Sequence, residues 1–402
     1  MNTRAWKSVS TCALSQMPET PANPFDHQPR TRIVFGIGAA EKAGELAREA
    51  GLRKVLLVTD AGVVTAGHAE GVRQALGRAK VETILFDKVR ENPTTDDVEE
   101  CLRAAQNTGI DGIVGLGGGS SMDTAKGCNF LLTNGGRMRD YWGVGKAARP
   151  MLPLIAIPTT AGTGSECQSF ALIADAATHQ KMACGDAKAA ARIAILDPAL
   201  TLSQPPRVAA CTGIDALSHA LETAVTNKRN ALSVAYSRES FRLCASSFPR
   251  VMQNRQDVAA RSGMLLGAAL AGLAIENSML GAAHAAANPL TAHFHIAHGQ
   301  AVGLMLPAVI RFNAGDAGTA RLYDEMDENK TAGLIGNLDW LLNLAGLPRS
   351  LADCDIRPSA IPLLASEAAR QWTAGFNPRP VGEGEFINIY EAAFERRGDG
   401  TP

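Results

Sequence analysis

Gly112-Ile113-Val114-Gly115-Leu116-Gly117-Gly118-Gly119-Ser120-Ser121-Met122-Asp123-Thr124-Ala125-Lys126 is the stretch that decides the fold. An apolar run of strand length, Gly112-Leu116, passes through three glycines into a segment of helical pattern, Ser121-Leu132. A strand that turns at once into a helix is the repeating unit of an α/β layer. Three glycines also let the backbone close on an anion. Their N–H groups, the Ser120 hydroxyl and the positive end of the following helix form a natural pyrophosphate cradle. The same residues equally suit a tight turn in which glycine only avoids strain. No Gly-Lys-Ser/Thr follows, which excludes a Walker-type phosphate loop.

The same alternation extends outward from about Thr31 to Pro198. Strand candidates are Arg32-Phe35, Val55-Thr59, Thr83-Phe86, Gly112-Leu116, Leu154-Ile157, Ala171-Ile173 and Ile193-Leu196. Ala40-Ala50, Ala69-Arg78, Asp96-Gln106 and Ser121-Leu132 are the helix-compatible stretches between them. Beyond Pro205-Pro206 strand-like runs stop, and Ala-rich segments of helical length follow, divided near Pro249, Pro289, Pro307 and Pro348. The expected plan is an α/β dinucleotide-binding domain with a mostly parallel sheet over 25–204, then an all-α metal-binding domain over 205–402. Residues 1–24 are expected to be a disordered tail or an exchanged arm.

Composition agrees with this plan. The chain has 402 residues, Lys plus Arg 39 against Asp plus Glu 40, a formal charge of -1, 46% hydrophobic and 20% charged residues. That is an ordinary globular balance, and with no basic run it makes nucleic acid a poor partner. Eight cysteines without CxxC pairs suggest neither a cysteine zinc site nor a disulfide framework, so a reducing, cytoplasmic setting is expected. The apolar region Met264-Ile310 is long enough to cross a bilayer, but its four His, two Asn and two Pro argue for a protein interior and no membrane.

A second glycine signal, Phe35-Gly36-Ile37-Gly38-Ala39-Ala40-Glu41, imitates a dinucleotide fingerprint by spacing. Glu41, however, stands where the third glycine belongs and would repel a pyrophosphate. Asp60 ends a strand where α/β sheets bind ligands. Its carboxylate suits a ribose diol and would repel a 2'-phosphate, favouring NAD over NADP, with a helix cap as the plainer reading.

Four of the eight histidines, His284, His293, His295 and His298, fall within fifteen residues. Upstream, Asp215 and His219 are four apart and share a helix face. One carboxylate with several imidazoles suits a divalent first-row metal; a set of hydrogen-bonded core histidines with a helix-capping Asp is the alternative.

At this point the sequence resembles the iron-containing (group III) alcohol dehydrogenases. The resemblance runs from about Phe25 to Phe394. It is carried by Phe35-Gly36-Ile37-Gly38, Val58-Thr59-Asp60, Asn92-Pro93-Thr94, Gly117-Gly118-Gly119-Ser120 with Asp123 and Lys126, Ile157-Pro158-Thr159-Thr160-Ala161-Gly162-Thr163-Gly164-Ser165-Glu166, Gly213-Ile214-Asp215-Ala216-Leu217 with His219, Leu280-Gly281 with His284, His298-Gly299 and Asn377-Pro378-Arg379. It implies a Rossmann-like N-terminal domain, an all-α C-terminal domain, the architecture shared with dehydroquinate synthase, and an active-site cleft between them. The implied metal ligands are Asp215, His219, His284 and His298. The implied NAD(H)-binding residues are Gly117, Gly118, Gly119, Ser120, Asp123, Asp60, Asn92, Thr159, Thr160, Thr163 and Lys181.

The implied activity is hydride transfer between nicotinamide and a small primary alcohol or aldehyde held at one divalent metal, Fe(II) first and Zn(II) second. A homodimer or larger homo-oligomer is also implied. The family commonly carries a further histidine four residues after the third ligand, where this chain has Asn288. Asn288 can orient a substrate but cannot titrate, which leaves His293 or His295 as candidates for a proton relay. Ile275 replaces a common Phe. The rival readings are a glycerol-dehydrogenase-like polyol oxidoreductase and a dehydroquinate-synthase-like lyase.

Overall fold

The computed structural model describes residues 23–178, 180–327 and 330–394; residues 1–22, most of the expected tail or arm, lie outside the described residues. Nine strands are present among them: β1 (Arg32–Phe35), β2 (Lys54–Val58), β3 (Glu82–Phe86), β4 (Gly112–Gly117), β5 (Gly143–Val144), β6 (Leu154–Pro158), β7 (Phe170–Ala174), β8 (Lys181–Gly185) and β9 (Ile193–Leu196). Six of them form a parallel sheet in the order β1-β9-β6-β4-β2-β3. Burial explains the sequence texture. Every residue of β4, β6 and β9 is buried, so these strands read as continuous apolar runs, whereas the edge strands β1 and β3 keep exposed positions.

Helices α1 (Ala43–Glu49), α2 (Ala61–Thr65), α3 (His68–Arg78), α4 (Thr95–Ala105) and α5 (Gly119–Asn134) cover this sheet. A small second sheet, β5-β8-β7, pairs β7 antiparallel to β8 with Phe170 opposite Gly185 and Ala174 opposite Lys181. Strand β8 was not among the sequence candidates. Lys-Met-Ala-Cys-Gly has no β-branched residue and no clear alternation, and its pairing with β7 is what makes it a strand.

The turn Gly36–Ala40 is a structural one. Asp197 accepts the Gly38 and Ala40 N–H groups, each at 3.1 Å, so a carboxylate of the chain itself fills this turn.

From Pro206 onward the chain is helical: α6 (Pro206–Val225), α7 (Ala231–Gln253), α8 (Val258–Ser278), α9 (Ala282–Phe294), α10 (His298–Asn313), α11 (Ala317–Asp324), α12 (Lys330–Leu344), α13 (Ile361–Ala369) and α14 (Glu383–Phe394). The expected divisions at Pro249, Pro289 and Pro307 are corrected, because each proline lies inside a helix. A proline costs a helix interior about 3 kcal/mol, and here that cost is outweighed by burial on neighbouring helices. Pro348 does fall outside a helix, between α12 and the turn Leu351–Cys354.

Helix α8 is long and apolar enough to span a bilayer by length and composition, yet it packs at the centre of the helical half. Gly267 lets α7 approach closely, and the Ser240 hydroxyl donates to the Gly267 carbonyl at 2.7 Å.

The two halves meet where Gly164 rests on α8. Gly164 is left-handed (φ 61), and a Cβ there would lie 2.7 Å from both the Ala268 carbonyl oxygen and the Gly272 Cα. Backbone therefore packs on backbone, with no flexible side chain available to yield. Gly272→Ala is expected to destabilise the protein by roughly 2 kcal/mol, read as a lower urea midpoint with an unchanged slope. A midpoint equal to wild type would show that the joint is looser than this packing implies.

Candidate active site

The carboxyl ends of β2, β4 and β6 lie side by side, with Val58 opposite Gly115 and Gly117 opposite Pro158. Asp60, the Gly117–Ser120 loop and Thr159–Thr163 therefore emerge along one sheet edge, where open α/β sheets bind ligands. Gly119 is required by its neighbour and Gly117 by the turn, while Gly118 leaves room for a Cβ in ordinary contact. A Cβ on Gly118 would touch Thr160 at 3.4 Å, and one on Gly119 would lie 2.8 Å from Thr163 Cγ2. Gly117 has φ 144, and a Cβ there would lie 3.2 Å from Asp60 Oδ2.

Asp60 is a helix cap: one oxygen caps α2 by accepting from Val63 N–H at 3.0 Å, and the second is left towards the glycine loop. Asn92, held left-handed at φ 53, donates its backbone N–H to Ser120 Oγ at 3.2 Å, so these two predicted residues meet.

The predicted metal ligands also converge. Asp215 and His219 share one face of α6, His284 lies in the first turn of α9, and His298 begins α10. Asp215 Oδ1 lies 3.5 Å from His219 Nε2, 3.5 Å from His284 Nε2 and 3.9 Å from His298 Nε2. Asp215, His219 and His284 are nearly inaccessible, and His298 is a quarter exposed. Asp215 Oδ1 and His284 Nε2 are buried without a hydrogen-bond partner. Two atoms bound to one ion at about 2.1 Å in tetrahedral geometry stand about 3.4 Å apart; the ligand atoms of Asp215, His284 and His298 all lie within 4.8 Å of one another and could hold a divalent cation, with His219 joined to them through Asp215 Oδ1.

The electrostatics suit that charge. Although burial opposes it, the three imidazoles hold the Asp215 carboxyl well below the usual carboxylate range. Burial drives His298 down to about 3 and lowers His219 against the pull of Asp215. His284 differs: burial is outweighed by Glu222 and Asp215, which push it up to about 9.

Lys181, on β8, feels the charges of both Asp123 and Asp215. Burial lowers its ammonium, while Asp123 and Asp215 act in the opposite direction. Asp123 is directed to protein partners, accepting from Ser165 Oγ at 3.0 Å. Lys126 is wholly buried and donates to Ser165 O, Ser165 Oγ and Phe170 O at 2.7, 2.9 and 2.9 Å.

Asn288 lies one turn beyond His284 and donates to Gln371 Oε1 at 3.0 Å. The expected relay through His293 or His295 is corrected. His293 is nine residues, or two and a half turns, beyond His284, which carries it to the opposite face of α9. There it is exposed and pairs with Glu367 at 2.8 Å. His295 is also exposed, left-handed (φ 53) at the end of the same helix. Neither has a hydrogen bond to the four clustered residues among the described ones.

Comparison with known proteins agrees with this geometry. The family described as "Iron-containing alcohol dehydrogenase" matches residues 29–198, and "Fe-containing alcohol dehydrogenase family, C-terminal" matches 209–394. The chain belongs to the iron-containing alcohol dehydrogenase family. It is an oxidoreductase acting on alcohols. Within this family it is 33% identical over 371 residues to the NAD-dependent methanol dehydrogenase of Bacillus methanolicus, covering 90% of this chain and 97% of that protein. It is 35% identical over 377 residues to the choline dehydrogenase of Bacillus subtilis, covering 90% and 94%. Among solved structures, an alcohol dehydrogenase from Oenococcus oeni superposes with a TM-score of 0.87 at 29% identity, over 92% of this chain and all of that one.

Three residues to which the sequence reading gave no role in the site now join it. Glu222 bonds His284 Nδ1, the Gly162 carbonyl faces His219 Nδ1 at 3.3 Å, and Gln371 holds Asn288. Glu222 carried a signal, since 215, 219 and 222 recur at helical spacing on one face. Gly162 and Gln371 carried none, because their roles come from tertiary packing.

Glu166, beside this site, has a testable signature. Its carboxyl is 2% exposed, and burial pushes it up to about 7 from 4.5, against the pull of its own backbone N–H and Lys126. The folded protein thus holds this proton more tightly than the unfolded chain, so stability is lost as pH rises from 4.5 to about 7 and stays lost above. Glu166→Gln should therefore stabilise the protein at pH 8 relative to pH 5 by roughly 3 kcal/mol. Urea unfolding at both pH values checks this; an equal effect at the two would contradict it.

Proposed function

We propose that the protein is a metal-dependent, NAD-linked alcohol dehydrogenase and aldehyde reductase acting on small primary alcohols or aldehydes in the cleft between its two halves. The observation that carries this reading is the convergence of three imidazole Nε2 atoms on Asp215 Oδ1, beside a glycine loop at the carboxyl edge of the sheet. A divalent ion there, Fe(II) or Zn(II), would polarise the substrate oxygen and favour the charge that develops on it during hydride transfer.

The chain's own residues do the rest. Asp215, His219, His284 and His298 would hold the ion. Gly117–Ser120 would cradle the pyrophosphate with backbone N–H groups, Asp60 would accept from the adenosine ribose, and Thr159, Thr160 and Thr163 would line the remainder of the nucleotide. The chain's part in the reaction would be to set the nicotinamide face against the substrate carbon and to keep water from the reacting atoms. Asn288, an amide fixed by Gln371, would orient the substrate without titrating.

The lyase alternative needs several Lys and Arg to hold a phosphate and a carboxylate. Leu266–Pro307 offers neither residue type, which favours a small neutral or weakly polar substrate.

The test is anaerobic NADH oxidation with propanal, butanal, lactaldehyde, glycolaldehyde and succinic semialdehyde by metal-stripped, Fe(II)-loaded and Zn(II)-loaded protein. Turnover should require metal, and His284→Ala should abolish it while NADH still binds. Undiminished turnover in the stripped protein would sink the reading. NADH should be used at least about tenfold better than NADPH, and Asp60→Asn, which keeps the cap acceptor and removes the charge, should narrow that ratio. An unchanged ratio would remove Asp60 from the cofactor site.

A further inference from the structure

The outer nitrogens of the three converging imidazoles meet three different environments. His219 Nδ1 faces a neutral carbonyl, Gly162 O. His298 Nδ1 is buried without a hydrogen-bond partner. His284 Nδ1 alone meets a carboxylate, Glu222 Oε2. Glu222 is 3% exposed, and both of its oxygens are committed. Oε1 accepts the Ala283 N–H at 2.7 Å, in the first turn of α9, whose N-cap Gly281 has no side chain to do so.

Which group faces which atom fixes the chemistry. A carboxylate only accepts, so the ring nitrogen facing it must carry the proton. In the neutral ring that binds an ion, with Nδ1 protonated, the free lone pair is on Nε2, the atom aimed at Asp215 Oδ1. We propose that Glu222 is a positioning residue for the metal centre: it holds the His284 ring and its tautomer so that Nε2 is presented to the ion, and it does so from the same carboxylate on which α9 begins. This inference rests on the metal reading above. Outer carboxylates of this kind orient a ligand and raise its basicity.

The near-isosteric change Glu222→Gln separates this role from a purely structural one. If the amide oxygen keeps the Ala283 N–H, the amide NH2 faces His284 Nδ1 and donates to it. The ring must then accept at Nδ1 and carry its proton on Nε2, the position the ion needs. Turning the amide over sets its NH2 against the Ala283 N–H, donor against donor. The shape is kept in both arrangements, but the first loses the preparation of Nε2 and the second keeps it only by leaving the Ala283 N–H without its acceptor.

The experiment uses the full chain, wild type and Glu222→Gln, with Glu222→Asp as an acceptor-only comparison. Zn(II) affinity is measured by competition with a chromophoric chelator. The exchange-protected imidazole N–H resonances are recorded on the Co(II)-loaded protein, and the melting temperature on the metal-free protein. Glu222→Gln should weaken Zn(II) binding roughly 10- to 100-fold, remove one protected N–H resonance, and leave the metal-free melting temperature within a few degrees. Glu222→Asp should retain part of the affinity. Affinity within about twofold of wild type overturns the proposal. So does a retained N–H resonance with a large fall in metal-free stability, which would make Glu222 a helix cap only. If the wild-type chain takes up no divalent ion, this inference and the functional reading fall together. If metal affinity drops as expected but no aldehyde is reduced, only the functional reading falls.

Discussion

A carboxylate 3% exposed, with three imidazole nitrogens within 4 Å of one oxygen, is the constraint on which the helical half depends. A buried anion is costly unless positive charge and directed donors surround it. The ring nitrogens come from three helices, α6, α9 and α10, so those helices must approach closely enough for short side chains to meet. Gly299 permits this by resting on the Cys211 backbone, where a Cβ would lie 2.7 Å from the Cys211 carbonyl carbon and 3.2 Å from Asp215 Cβ. Gly303 does the same one turn on, against Ile214. Ala282, Ala283, Ala285, Ala286 and Ala287 are all fully buried around His284. The Ala- and Gly-rich composition of this region is the packing requirement of a shared ligand point, and it is also what gives the region its resemblance to a membrane span.

The second dependence lies at the joint between the halves. Thr159–Glu166 leaves β6, passes the glycine loop through Thr160 and Thr163, offers the Gly162 carbonyl to His219, and seats Gly164 on α8. Lys126 fixes the far end of this segment with two hydrogen bonds to Ser165 and makes a third to Phe170 of β7, an arrangement that compensates the burial of its ammonium. Close by, Ser169 donates twice to Glu276 of α8, through its N–H at 2.9 Å and its hydroxyl at 2.7 Å, and Arg30 pairs with the same carboxylate. One segment therefore touches the glycine loop, a histidine of the Asp215 cluster and the core of the other half.

Legibility in the sequence followed from how local each signal was. Strands β4, β6 and β9 were readable because both faces are buried, and the glycine loop because its three glycines and Ser120 are consecutive. Asp215 with His219 was readable because helical spacing alone places them together. Strand β8 was hidden, since Lys181–Gly185 becomes a strand only through β7. Prolines 249, 289 and 307 misled for the converse reason: local cost predicts a break, and the packing of α7, α9 and α10 overrides it. His293 looked like His284 in composition, and only helical phase distinguishes the buried ring from the exposed one.

Helical phase also gives Asn288 its meaning. It stands on the face of α9 that carries His284, one turn on, and its amide donates to Gln371. Gln371 precedes Trp372, whose ring stacks on Phe170 of β7 at 5.6 Å and 29°, linking the helical half to the small sheet. A histidine at 288 would add a titrating ring one turn from His284, which already lies between Asp215 and Glu222, and its bond to Gln371 would change character with protonation. An amide has one charge state. The contact from α9 to the Trp372–Phe170 stack is therefore the same at every pH at which the protein is folded, and ionisation close to the converging ligands is left to groups that face one another.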